Sequence, residues 1–366
     1  MTPIGPDDAG LDRDVSPDPT PTAEPSAAVS LPSDTMMVEP VTTDAPAPVP
    51  TRPGASTFTI EGRAAPALFV VGWLASILGL ATVFIGAMAS GAVAPFVLVA
   101  GLMILSIGLV AGAGSQGIER RTRGVLPYQG PSPLLVFVAS IPVSLVAIVL
   151  IALPLVALGV PVDGPVGQFA SVVVQTVVYV GLIRLLVVDA GALSWRDMKL
   201  TRFGVNALAE MGGGALWAIP VIVVTIPISA VLVNAMGVTP TSPLPPTGEA
   251  TGFALQFLAG AIIAPFGEEL MFRGLATTAW VRAFGPARGV AQAAIVFALA
   301  HVLTVSGSSA GEALGLAVVG FATRLPIAFA LGWLFVRRGS LWAPIGLHMA
   351  FNAILLIAGE IALRSA

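Results

Sequence analysis

Two carboxylates and a guanidinium stand within six residues of one another, in Ala264-Pro265-Phe266-Gly267-Glu268-Glu269-Leu270-Met271-Phe272-Arg273-Gly274. The surrounding run, Phe253 to about Ala283, otherwise reads as lipid-embedded helix. A charge at the bilayer centre costs at least ~2.5–3.5 kcal/mol on insertion scales, so three of them call for a reason. On a helix Glu269 and Arg273 share a face, with the acid N-terminal to the base, which is the better order for pairing. Glu268 lies roughly 100° round the helix and is left without that partner. An intramembrane carboxylate without a neighbouring cation is the residue to suspect of chemistry. The two histidines of the chain, His301 and His348, also fall in apolar runs, and Asn352 follows His348 by one turn on the same face. Polar groups on three membrane helices must face one another or a wet cavity. Two imidazoles, a free carboxylate and an amide in such a cavity have the chemistry to hold a divalent metal or to activate water directly.

The elements that position these groups follow from composition. With 56% hydrophobic and 10% charged residues and a mean hydropathy of +0.92, the 366-residue chain reads as an all-α, polytopic transmembrane helical bundle. Nine apolar runs are long enough to span: 67–88, 92–114, 134–159, 165–188, 206–236, 252–278, 288–305, 312–336 and 341–362. Residues 1–66 form an acidic, proline-rich tail with thirteen of the 31 prolines and ten acidic against three basic side chains (net -7), leaving +4 on the remainder. Such a segment buries too little to offset its ordering entropy and is expected to be disordered. It also lacks the basic and apolar regions of a signal peptide. The domain division expected is this tail, N-terminal membrane helices over 67–188 and C-terminal membrane helices over 189–366.

Cations test the span count independently. Loops 115–133, 189–205, 279–287 and 337–340 carry arginine or lysine, whereas the intervening loops carry only acids. That alternation predicts the N-terminus inside and the C-terminus outside. The basic balance therefore reflects topology and gives no sign of nucleic acid. With no cysteine, disulfides, thiolate metal sites and cysteine nucleophiles are excluded. Trp195–Leu200 reads as a short interfacial amphipathic piece. By helix rise Glu268 and His301 lie at similar depths, ~20–22 Å from the basic side, whereas His348 comes out at ~10–12 Å unless Gly339 to Pro344 dips as non-helical chain. Arg324 is a further intramembrane cation whose partner the sequence does not name.

The ordered set Glu268-Glu269-x-x-x-Arg273, Phe297-x-x-x-His301 and His348-x-x-x-Asn352 resembles the CPBP family, over about residues 253–357. This family comprises the type II CAAX prenyl endopeptidases, bacteriocin-processing proteases and abortive-infection proteins. The resemblance implies an intramembrane endopeptidase acting on a membrane-associated peptide or protein. Glu268 would be the general base assisted by His301. His348 and Asn352 would be metal ligands or, without metal, donors to the oxyanion. Glu269 and Arg273 would brace the helix, with Phe297 as a wall. A divalent metal such as zinc, held by Glu268, His301 and His348, is one option, although the His-Glu-x-x-His string of soluble zinc proteases is absent. Two rival readings use the same residues: a proton-coupled transporter, and a catalytically silent scaffold or immunity protein on the same fold. One lysine against sixteen arginines, with abundant Ala, Gly, Val and Pro, suits a GC-rich bacterial genome, and so a bacterial cell membrane.

Overall fold

Each apolar run becomes a helix because lipid offers its backbone no other hydrogen-bonding partner. The computed structural model describes residues 60–124, 126–240 and 245–365, all within the unit Pro53–Ala366. Nearly all of the acidic tail, residues 1–59, lies outside the described residues. Among those described there are nine continuous helices and no strand. They are α1 Pro66–Met88, α2 Ala94–Arg123, α3 Pro133–Ala157, α4 Pro165–Val188, α5 Val205–Met236, α6 Ala250–Phe284, α7 Pro286–Ala300, α8 Ala310–Arg338 and α9 Trp342–Ser365. Eight are long and apolar enough to cross a membrane, so the chain is a multi-pass membrane protein.

The exception is α7. Its 15 residues span about 22 Å, short of a ~30 Å hydrocarbon core. The expected span 288–305 thus ends early, with His301 as its C-terminal cap. The local sequence explains why. Ser309 and Glu312 form a reciprocal N-terminal cap for α8: the Ser309 hydroxyl accepts from the Glu312 N–H, while the Glu312 carboxylate accepts from the Ser308 N–H and hydroxyl. The intervening chain is non-helical, apolar to Val305 and then polar over residues 306–309.

Helices α1 and α2 pair through glycine. Gly72, Gly79 and Gly86 recur every seven residues on one face of α1 and are buried against α2. A Cβ on Gly79 would strike the Leu105 backbone, and one on Gly72 would lie 2.7 Å from the Gly112 Cα. The absent side chains are what let the two backbones meet. A similar approach joins α5 to α9, where Gly214 faces the Ala343 carbonyl and Gly346 the Met211 carbonyl.

The segment between α4 and α5 solves the depth problem posed by His348. It is a run of turns, in place of the interfacial piece expected over Trp195–Leu200, and it roofs the start of α9. The Lys199 carbonyl accepts from Leu341 N (3.1 Å) and the Thr201 carbonyl from Trp342 Nε1 (3.2 Å). Residues 341–348 are buried throughout. α9 therefore begins beneath this roof, already helical at Trp342, and carries His348 to the level of α6 without the non-helical dip through Pro344. Asp197 ties the roof to the end of α6 through Arg282 (2.6 Å), and Glu210 ties α5 to the end of α8 through Arg338 (3.0 Å). Three of the four basic loops are thus drawn to one end of the helices.

Two predictions follow from this packing. Gly79→Leu should lower the thermal unfolding midpoint in detergent, because overpacking a close contact costs about 1–3 kcal/mol; an unchanged midpoint would refute the glycine seam. The Ser194 hydroxyl and N–H, with Arg282, hold the Asp197 carboxyl down at about 2. A depressed carboxylate contributes stability at neutral pH that is lost as pH falls below the unfolded value of ~3.9 towards the folded one. Hydrogen exchange of residues 194–201 should therefore stay constant from pH 8 to 5, after correction for intrinsic rates. It should rise between about pH 4 and 2 in the wild type more than in Asp197→Asn.

Candidate active site

The site is built on an irregular stretch of α6. Pro265 has no N–H to give to the preceding turn, and the backbone widens into π-helix over Leu258–Ile263 and again over Leu270–Thr277. Between them the short α-helical segment Ala264–Glu269 carries both glutamates. Side chains from other positions occupy carbonyls in the widened turns. Thr277 Oγ1 donates to Phe272 O (2.8 Å), Thr176 Oγ1 of α4 to Ile263 O (3.4 Å) and Asn352 Nδ2 of α9 to Gly260 O (2.8 Å). Gly267 permits the α4 approach, since a Cβ there would lie 2.9 Å from Thr176 Oγ1. π-turns of this kind recur at functional sites.

Glu269 is fully buried and serves two partners. Its Oε1 accepts from Arg273 Nη1 (3.0 Å) and from His348 Nδ1 (2.8 Å). Arg273 also donates through Nη2 to Ala328 O of α8 (3.1 Å) and lies over the Phe297 ring, 4.4 Å from its centroid. Phe297 is the wall expected of it: its ring sits 4.5 Å from that of His301, 5.8 Å from that of His348 and 5.2 Å from Phe272. The bracing pair foreseen in the sequence is present. Its bond to His348 was not foreseeable, because 79 residues separate the partners and no local spacing encodes the contact.

Glu268 points elsewhere. Its Oε2 faces His301 Nε2 at 3.6 Å and His348 Nε2 at 3.8 Å, and has no hydrogen-bond partner of its own. Each imidazole is fixed from behind. His301 Nδ1 lies 2.8 Å from Phe297 O, so it must be the protonated nitrogen, because a carbonyl only accepts. His348 Nδ1 likewise donates to the Glu269 carboxylate. In the neutral rings both Nε2 atoms then carry lone pairs, and three acceptors converge with no donor among them. A buried group left this way requires a partner in the gap, and a water molecule or a shared proton satisfies it. Side-chain exposure rises from 0% at Glu269 through 6% at His348 and 19% at Glu268 to 26% at His301, so the cluster opens on the His301 side.

The remaining sequence candidates divide. Asn352 makes no hydrogen bond to the three converging groups; its amide ties α9 to α6. Among the described residues, Arg324 hydrogen-bonds the Gly320 carbonyl of its own helix alone (2.9 Å). As for a metal, Glu268, His301 and His348 offer suitable donor types. Yet no three His, Asp or Glu side chains among the described residues gather as a set able to hold one.

Residues 250–354 match the family model described as "Type II CAAX prenyl endopeptidase Rce1-like". No curated protein and no solved structure matches the chain. The matched stretch contains Glu268, Glu269, Arg273, Phe297, His301, His348 and Asn352, and its limits lie within a few residues of those drawn from the motifs alone. The chain thus carries, over residues 250–354, an Rce1-like type II CAAX prenyl endopeptidase family domain.

Proposed function

We propose that the protein is an intramembrane endopeptidase in which Glu268 activates a water to hydrolyse a peptide bond in a membrane-associated peptide or protein. The observation that carries this reading is the convergence of Glu268 Oε2 with two histidine Nε2 atoms, each ring oriented by its Nδ1. The acceptor surplus balances when one ring takes a proton. His348 is the ring backed by a carboxylate, as in a hydrolase triad. A water then gives one hydrogen to Glu268 and one to His301, and accepts from His348 Nε2–H. As the water oxygen attacks the scissile carbonyl carbon, its proton passes to Glu268. His301, the most exposed of the three, is placed to relay that proton to the departing amine nitrogen. Loss of the C–N bond leaves a carboxylate and an amine.

A proton-coupled transporter has no need of two imidazoles fixed to share one carboxylate oxygen. It is retained as an outcome of the test, as is the silent scaffold. The arginine-rich loops favour an orientation with the N-terminus in the cytoplasm, and composition favours a bacterial cell membrane.

The decisive experiment uses the full chain in detergent with two internally quenched fluorogenic peptides. One carries a farnesylated cysteine, the group that the family's name suggests, and the other is the same peptide without lipid. Glu268→Gln should lower turnover by ~10²–10⁴-fold, the usual worth of a positioned acid–base group, with little change in unfolding midpoint. His301→Ala should do likewise. Glu269→Gln should differ from its neighbour: leaving Arg273 buried and unpaired is expected to destabilise the fold by about 3–5 kcal/mol. Equal stability in the two glutamate variants would overturn the division of labour. Absence of cleavage by the wild type, with flux in vesicles instead, would favour the transporter.

Dialysis against EDTA and then 1,10-phenanthroline should leave turnover of whichever peptide is cleaved unchanged. Loss of activity restored by added zinc would overturn the metal-free mechanism.

A further inference from the structure

Two cations lie far from the ends of their helices. Arg273 is ion-paired with Glu269. Arg324 has no carboxylate within ion-pair distance among the described residues; its one hydrogen bond, through Nη1, is to Gly320 O one turn back. It is the central residue of α8, Ala310–Arg338, about 21 Å of helix rise from either end. A side chain cannot reach the headgroups from there, and an intramembrane cation so placed marks function by default.

Its surroundings point to the active site. A Cβ on Gly320 would lie 3.3 Å from Arg324 Nη1 and 3.1 Å from the Cγ1 of Val302, the residue after His301. The guanidinium and the His301–Val302 corner therefore flank the same glycine. Arg324 is also within electrostatic reach of Glu268. The irregular chain that starts at His301 lies on this side, where the catalytic cluster is most exposed. Of the other donors near the cluster, Arg273 is paired with Glu269, Asn352 gives one amide N–H to Gly260 O, and His348 donates to the attacking water in the mechanism above.

Building on the proteolytic reading, we infer that Arg324 is a catalytic residue whose guanidinium receives the oxyanion formed when water adds to the scissile carbonyl. In that step the water oxygen bonds to the carbonyl carbon, its proton goes to Glu268, and the C=O electron pair moves onto oxygen, where Arg324 donates to it. When the tetrahedral centre collapses, the pair returns, the C–N bond breaks and the amine leaves with the relayed proton. A cation preorganised in a low-dielectric site stabilises such charge without reorganising at the moment of reaction.

Arg324→Met keeps length and apolar bulk and leaves no buried anion behind, so the variant should fold. With the peptide the wild type cleaves, kcat should fall by ~10²–10³-fold at little change in KM, as for removal of an oxyanion donor. Arg324→Lys should recover part of the loss. A second readout needs no turnover. A phosphinic peptide, whose anionic phosphinate stands where the oxyanion forms, should bind the wild type far more tightly than the matching uncleaved amide in Glu268→Gln. Arg324→Met should erase most of that difference. Unchanged kcat, or a KM rise abolished by amidating the peptide's C-terminus, would overturn the assignment, the second outcome making Arg324 a carboxylate anchor. A wild type that neither cleaves the peptides nor favours the phosphinate would refute the proteolytic reading itself, and the inference with it.

Discussion

Glu269 is a buried acid whose Oε1 is shared between a guanidinium on its own helix and an imidazole on α9. Desolvating a carboxylate and an arginine together is unfavourable unless the remaining donors and acceptors are also met. Here the Ala328 carbonyl takes a second N–H of Arg273, and the face of Phe297 lies against the guanidinium. The pair therefore links α6 to α7, α8 and α9 at one point. Because His348 is held by the same oxygen, its ring angle, and hence the direction of its Nε2, depends on the integrity of the ion pair. Two adjacent glutamates thus come to do different work. One is engaged through Oε1 on the inside and fixes geometry, although its Oε2 and Arg273 Nε find no partner of their own, while the other keeps its unpartnered Oε2 between the two imidazoles.

Regular membrane helices would not deliver this arrangement, and the irregularities occur where they are required. α6 is widened on both sides of the glutamates, which frees the Gly260 carbonyl for Asn352 and the Ile263 carbonyl for Thr176. α7 stops at Ala300, so that His301 sits at a helix terminus with open chain beyond it. Non-helical backbone at membrane depth is tolerated only where protein covers it or water reaches it. His301 stands at such a place, with 26% of its side chain exposed.

Much of this was legible in the sequence, for physical reasons. Apolar run length marks where helices form, and among the described residues nine helices stand over the nine runs, eight of them long enough to cross. The burden of placing charges in lipid singles out Glu268, Glu269, Arg273, His301 and His348, and the structure brings all five together. What could not be read depended on contacts distant in sequence or on local backbone detail. The end of α7 was missed because apolar character continues to Val305, and only the Ser309–Glu312 cap signals a restart. The placing of Asn352 was not resolved because its partner is a backbone carbonyl exposed by a π-turn, which leaves no trace in residue type. The depth of His348 was misjudged because hydropathy counts each loop from the membrane surface. In the fold the α8–α9 link runs beneath the Lys199–Thr201 segment, whose carbonyls take its donors.

That roof has a consequence for how the centre is reached. Residues 341–348 are buried, Arg282 clasps Asp197 above the end of α6, and the roof's Met198 packs into the same core as Leu270 and Phe272. The side bearing the basic loops is accordingly the closed one. On the other side His301 is the most exposed of the clustered groups, and the chain after it runs unpaired by helix to Ser309. A peptide reaching Glu268 would then pass by the end of α7 and α8 and meet His301 and Arg324 first. In the proteolytic reading proposed above, the opening that admits water would also admit the carbonyl, on the face of Glu268 turned away from the Glu269–Arg273 pair.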